Sequence, residues 1–248
     1  MTSQDFLLSD AEVAQFIVNG YHVVEPDLAA GLNESIAAQL DGLESNPGDA
    51  ITDSIPELLQ VLEHAEVRGV LVSLLGPDFE VQSHRHWHCK PAGSGGMQWH
   101  QDGTNNRDLR LNRFLGLYYP RDVTPDMGPT VIVPGTQYRN APTDRMAFTH
   151  YDLWHGTAAN RSSMPRHMIK FLFRRTQDND TPTWKHQAGA TDVPTDRNNR
   201  DRATDPKNIL TFGNPIGVSQ SDHYKERAIR RQVWDYLVGE GELKAIDG

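Results

Sequence analysis

The 248-residue sequence predicts a mainly β domain with flanking helices, on three observations. Apolar residues recur every three to four positions as far as about residue 76; the period falls to two from about Phe79; and the later apolar segments are short, bounded by proline and glycine. Many short strands behind a helical layer make a β-barrel or a β-sandwich backed by helices. The length fits a single domain over 1–248, with a helical layer over about 9–76, a β core over about 79–175, and loops and a helix over about 176–248.

Ser9 followed by Glu12 reads as a capping box; Val13, Phe16 and Ile17 then keep helical spacing until Gly20, which predicts a helix over 10–19. Tyr21 to Val24 reads as a short strand. Leu28, Leu32, Ile36, Leu40 and Leu43 form the stripe of a second helix. A third starts near Pro56, which suits a first helical position, and runs through Leu59 and Leu62; a further apolar stretch, Val70 to Leu75, stops at Gly76-Pro77. From Phe79, Val81, Ser83, Arg85, Trp87 and Cys89 alternate with Gln82, His84, His86, His88 and Lys90, as in a strand. Phe114 to Tyr119, Thr130 to Val133, Thr149 to Trp154 and His167 to Phe173 are further strand candidates, and Tyr224 to Leu237 carries a last helical stripe.

Composition narrows the function. Apolar residues make up 37% and charged residues 23%, and no apolar run reaches the length of a membrane span. Met1 to Phe6 lacks a basic start followed by an apolar stretch, so a soluble, cytoplasmic protein is expected. The single cysteine, Cys89, excludes an internal disulfide framework and a cysteine zinc cluster. Any metal site must therefore draw on His, Asp or Glu. A net charge of −9 opposes nucleic acid and anionic membranes, which leaves a small molecule as the expected partner.

Eleven histidines and 33 acids in the chain make about one or two His-x-[Asp/Glu] matches expected by chance, so position must decide. His64/Glu66 lies in a predicted helix, where residues two apart face different ways. His150/Asp152 is a competing pair, in a predicted strand shortly before His155. His100-Gln101-Asp102 follows the glycine-rich turn Pro91 to Gly96. In extended chain its imidazole and carboxylate point the same way and can share one ion. A distant third ligand, for which His155 is well placed, completes two histidines and one carboxylate on one face of an octahedron, the arrangement of iron(II) oxygenases.

Arg166 follows His155 after a polar segment that includes Asn160 to Ser163. A turn there is expected to fold the next strand back beside the first and carry the guanidinium into the same cavity. An arginine fork grips a carboxylate with two parallel hydrogen bonds and stays charged when buried, which implies a dicarboxylic co-substrate. Arg107, Arg110 and Arg113 cluster after the metal motif, in a loop expected to edge the cavity and steer an anionic substrate.

Together, Trp99-His100-Gln101-Asp102-Gly103, the stretch Gly128 to Thr136, and the segment His155-Gly156…Asn160…Ser162…Arg166 resemble the phytanoyl-CoA dioxygenase family of iron- and 2-oxoglutarate-dependent oxygenases. Lys90-Pro91 and Phe16…Gly20-Tyr21 are also similar to it. The resemblance covers roughly residues 9–175 and implies a double-stranded β-helix, the cupin-like jelly roll, with the metal in its mouth. It implies that His100, Asp102 and His155 bind Fe(II), that Arg166 binds the distal carboxylate of 2-oxoglutarate, and that Thr157, His86 and Tyr118 also contact this co-substrate. The implied reaction consumes O2 and 2-oxoglutarate, releases succinate and CO2, and hydroxylates an unactivated carbon; desaturation, ring closure and epimerisation are other outcomes of the same site. Asp102 argues against halogenation, since halogenating members of the family usually lack the carboxylate ligand. Two alternatives remain: a jelly-roll dioxygenase working without 2-oxoglutarate, with Arg166 on the substrate, and a non-catalytic binding protein. The sequence leaves substrate and oligomeric state open.

Overall fold

Ser9 and Glu12 start the first helix with a reciprocal cap: the Ser9 amide donates to the Glu12 carboxylate at 2.7 Å and the Glu12 amide to Ser9 Oγ at 3.4 Å. Two amides that a helix start leaves without partners are thus satisfied. The computed structural model describes residues 2–102, 112–138, 150–187, 210 and 220–244, with 220–226 described by backbone only. Helix α1 spans Asp10–Asn19 and stops at Gly20, whose φ of 82° lies in the left-handed region. A Cβ at Gly20 would meet Gln137 Oε1 at 2.6 Å and Leu153 Cδ1 at 2.8 Å. Gly20→Ala is therefore expected to cost about 2 kcal/mol or more, from backbone strain plus displacement of buried side chains. An unchanged urea midpoint would contradict this account.

Helix α2 (Leu32–Asp41) follows, then the short α3 (Ile51–Ser54), α4 (Leu58–Leu62) and α5 (Ala65–Leu75). Two expectations change here. Tyr21 to Val24 forms no strand, and the helix expected from Pro56 is a turn leading into α4, with His64 as the N-cap separating it from α5.

The strands are β1 (Glu80–Lys90), β2 (Met97–His100), β3 (Arg113–Tyr118), β4 (Thr130–Ile132), β5 (His155–Thr157) and β6 (Arg166–Arg174). They form two antiparallel three-stranded sheets, ordered β1-β6-β3 and β2-β5-β4. The sheets do not close into a barrel among the described residues. Of the predicted strand Thr149 to Trp154, Thr149 lies outside the described residues and the rest is not a strand: His150 makes an isolated bridge to Phe114, residues 151–153 turn, and β5 starts at His155.

Strand β6 is buried almost throughout because both of its faces are covered. Ile169, Phe171 and Phe173 join Trp87, Phe114 and the helices in the main core. On the opposite face Leu172 packs with Leu115, Leu117 and Ile132, while Arg166, Met168 and Lys170 share that face by strand alternation. The last helix, α6 (Gln220–Leu237), buries Ile229, Val233, Trp234 and Leu237 in the main core. Its Trp234 lies 5.8 Å from Trp184, whose indole donates to Asp10 at the start of α1 at 2.8 Å. The C-terminal helix is thereby docked on the N-terminal layer.

The helical layer is also pinned to the sheet beside the site. Asp41, at the end of α2, accepts from Arg121 and, at 2.8 Å, from His167 Nε2; His167 Nδ1 in turn accepts from the Trp87 indole at 3.1 Å. The Arg121 bonds, then that of His167, hold the Asp41 carboxyl at about 2, below its ordinary 3.8. A depressed carboxyl contributes stability above its unfolded value and loses it as pH falls through the folded one. Asp41→Asn is expected to remove stability near neutrality and to flatten the acid loss between about pH 4 and pH 2. Acid-unfolding curves that run parallel for the two proteins would show the pair contributes nothing, as solvent screening allows for a carboxylate 41% exposed.

Candidate metal and co-substrate site

The glycine-rich turn after β1 sends the chain from the helix-backed sheet to the opposite one, where β2 pairs with β5 and places His100 directly across from His155. Small residues make the close approach possible. Gly128 has a φ of 73°, and a Cβ there would stand 2.6 Å from the Ala158 carbonyl. His100 Nε2 lies 3.7 Å from Asp102 Oδ1, His155 Nε2 lies 3.9 Å from Asp102 Oδ2, and the two imidazole centroids are 5.4 Å apart. His100 Nδ1 approaches the Gln98 carbonyl at 3.2 Å and His155 Nδ1 the Leu153 carbonyl at 3.4 Å. A carbonyl only accepts, so each Nδ1 donates and each Nε2 is the ring nitrogen suited to a metal.

These donors fit a metal ion. Ligands about 2.1 Å from a six-coordinate ion lie roughly 3 Å apart when adjacent. The observed separations are wider, and no closed cage of three donors exists among the described residues. Side-chain movement of roughly an ångström would close it, and looser geometry before ligand binding is common. Burial pushes His155 down to about 4, which keeps it neutral near pH 7. For Asp102, burial opposes ionisation, but the Lys170 ammonium and then His155 outweigh it, and the carboxyl sits below its ordinary range. Lys170 Nζ is 3.1 Å from Asp102 Oδ2.

Arg166 opens β6, opposite Lys90 of β1. Asn160 shapes the route to it, donating to the carbonyls of Lys90 at 2.9 Å and Met164 at 2.8 Å and accepting from the Ser162 amide and hydroxyl. The expectation that β6 folds back beside β5 is corrected: the turn carries the chain to the other sheet, where β6 pairs with β1 and β3. Arg166 is only 2% exposed, and among the described residues its Nε and Nη1 have no hydrogen-bond partner. Its guanidinium carbon stands 5.8 Å from the Tyr119 ring centre. A buried cation with two unsatisfied donors is costly unless an anion completes it, which is the fit expected of a carboxylate ligand.

Thr157 shares its face with His155, and its hydroxyl accepts from the Met97 amide at 3.2 Å, leaving its own proton to donate. His86 stacks on His84 at 4.2 Å, its Nε2 is 4.0 Å from the Asp49 carboxylate, and it lies four residues along β1 from Lys90, the residue opposite Arg166. His88, two residues on, has a buried Nε2 with no hydrogen-bond partner among the described residues and is held down at about 4 by burial, then by Lys170, His86 and Arg166. It, rather than His86, stands by Arg166. Tyr118 turns to the helices, where its hydroxyl donates to Asn33 at 2.6 Å; the ring beside Arg166 is Tyr119, whose hydroxyl meets Thr130 Oγ1 at 2.5 Å. The competing pair is held locally, the Asp152 amide donating to His150 Nδ1 at 3.3 Å. Arg113 lies 5.9 Å from the Tyr151 ring centre, whereas Arg107 and Arg110 fall outside the described residues.

Fold and family match together define an enzyme of the iron- and 2-oxoglutarate-dependent oxygenase class. The sequence profile described as phytanoyl-CoA dioxygenase (PhyH) matches residues 5–150, and the chain belongs to that family. The match stops short of His155, Thr157 and Arg166, which the β2–β5 pairing and the start of β6 bring to the site. HygX from Streptomyces hygroscopicus, solved with nickel and 2-oxoglutarate bound, is similar at a TM-score of 0.54 and 15% identity, over 66% of this chain and 86% of that one. EctD from S. alaskensis with bound Fe is similar at 0.51 and 18%, over 65% and 74%. CytC3 with Fe(II) and alpha-ketoglutarate is similar at 0.51 and 18%, over 69% and 79%. At these identities the likeness is one of fold. No curated protein matches the chain, and among the described residues no helix is long and apolar enough to cross a membrane.

Proposed function

We propose that the protein hydroxylates an unactivated carbon of a small molecule, converting 2-oxoglutarate and O2 to succinate and CO2, with Fe(II) held by His100, Asp102 and His155. The observation that carries this reading is the pairing of two features that both lie within electrostatic reach of His88. Two imidazole lone pairs and a carboxylate converge, and the buried Arg166 has donors free for a carboxylate. When bound, iron and 2-oxoglutarate supply the activation of dioxygen and the oxidising equivalents.

The chain's own residues bind, orient and shield. Asp102 offsets part of the metal charge, while His155, neutral because it is buried, offers its lone pair without proton loss. Arg166 would take the distal carboxylate of the co-substrate in its fork, and Thr157, His88 and Tyr119 would orient the rest. Leu115, Leu117, Ile132 and Leu172 form an apolar wall on the inner face that limits water. The test is succinate release from 2-oxoglutarate with iron(II) and ascorbate across a panel of small molecules. Succinate no greater than in an iron-free control, for every compound and without any, would overturn the reading.

A further inference from the structure

We propose that Lys170 is a positioning residue that keeps one oxygen of Asp102 away from the metal, so that the carboxylate binds the ion through a single atom. The proposal rests on the reading of His100, Asp102 and His155 as metal ligands. Lys170 lies on the inner face of β6, opposite His86, with its side chain 9% exposed and Nζ 3.1 Å from Asp102 Oδ2. An ammonium is seldom buried without a partner, and Asp102 is the hydrogen-bond partner here. Packing alone does not require a cation at this place. Its neighbours on the same face, Met168 and Leu172, are apolar and buried, and a methionine would fill the space of the lysine stem.

The contact is directional. Lys170 takes Oδ2 at 3.1 Å, closer than the 3.9 Å that separates the same oxygen from His155 Nε2, and Oδ1, beside His100 Nε2 at 3.7 Å, is left without the ammonium. A carboxylate with both oxygens free can hold a divalent ion through both and fill two of its positions. The proposed reaction needs the economy of one: with two histidines and one carboxylate oxygen, half of an octahedron stays open for a chelating 2-oxo acid and dioxygen. The ammonium also opposes the dication across a short distance in a partly dry cavity, which weakens metal binding. Lys170 thus trades metal affinity for open coordination positions.

The two effects of removing it therefore have opposite signs, which a merely structural lysine would not produce. Lys170→Met, close to volume-conserving, is expected to bind cobalt(II) at least tenfold tighter, read by competition with a chromophoric chelator on the metal-free protein. It is expected to bind 2-oxoglutarate at least tenfold more weakly, read anaerobically with iron(II) from the visible band of the chelate. Lys170→Arg, which keeps the charge and a donor, should stay within threefold of wild type for cobalt(II). If the methionine variant does not fold by circular dichroism, Lys170→Gln, which removes the charge alone, should still bind cobalt(II) more tightly than wild type. Unchanged affinities, or both weakened, in the folded uncharged variant overturn the role of Lys170 and leave the metal site standing. A wild-type protein that binds neither cobalt(II) nor iron(II) overturns the metal reading itself, and the role of Lys170 with it.

Discussion

Asp102→Ala is expected to abolish product formation and to weaken iron(II) binding by about 10²-fold or more, the largest loss expected of any single change in the site. Three losses coincide. The metal loses its only anionic donor in the triad, the coordination position becomes open to water, and Lys170 is left as a buried ammonium without its carboxylate. Removing one partner of a buried pair costs about 3–5 kcal/mol, so the metal-free variant should also melt well below wild type. Thr157→Ala and His88→Ala, by contrast, remove contacts to a co-substrate already chelated and gripped by Arg166, and should cost about 1–3 kcal/mol in binding. Iron(II) titration by chelator competition, run beside a product assay, ranks the variants. Near-normal iron affinity and turnover in Asp102→Ala would show that the triad is wrong and turn attention to His150 and Asp152.

The sequence was legible where a local rule has one solution. The Ser9/Glu12 cap, the Gly20 stop and the alternation from Glu80 to Lys90 each depend on a few neighbouring residues, and α1 and β1 lie where those residues put them. The strand bearing His155 was misjudged because β5 is only three residues long, too short for a period, and its partners in β2 and β4 are set by long-range pairing. Tyr118 and Tyr119 show a second limit. Adjacent residues of a strand face opposite ways, so an error of one residue exchanges the cavity for the helical layer. His88 was visible in the same alternation as His86, but which of the two stands beside Arg166 follows from the β1–β6 register, and register across strands far apart in sequence leaves no local mark. Lys170 was hidden for a related reason. A lysine in an alternating strand reads as a solvent-facing position, and only the second sheet shows that this face of β6 is covered.

Arg166→Ala is expected to weaken 2-oxoglutarate binding by roughly 10²-fold or more while leaving iron(II) affinity within a few fold of wild type. The separation follows from position. Arg166 opens β6 on the sheet opposite the one that carries His100 and His155. Its effect on stability should be much smaller than that of Asp102→Ala. Asp102 has a buried cation as its partner, so its loss strands a charge. Among the described residues the Nε and Nη1 of Arg166 have no hydrogen-bond partner, so alanine relieves the desolvation of a buried guanidinium, offset by lost packing against Tyr119. The metal-free melting temperature should therefore stay near that of wild type, and the rise on adding 2-oxoglutarate with a divalent ion should shrink, because a ligand stabilises only through its binding to the folded state. Arg166→Lys sharpens the test: it keeps the charge but loses the planar fork, so it should recover part of the affinity and not all of it. An unchanged 2-oxoglutarate dissociation constant in Arg166→Ala would remove the arginine from the co-substrate site, whereas a loss matched by an equal fall in iron(II) affinity would mean that the variant had disturbed the fold around β6 and not one bidentate contact.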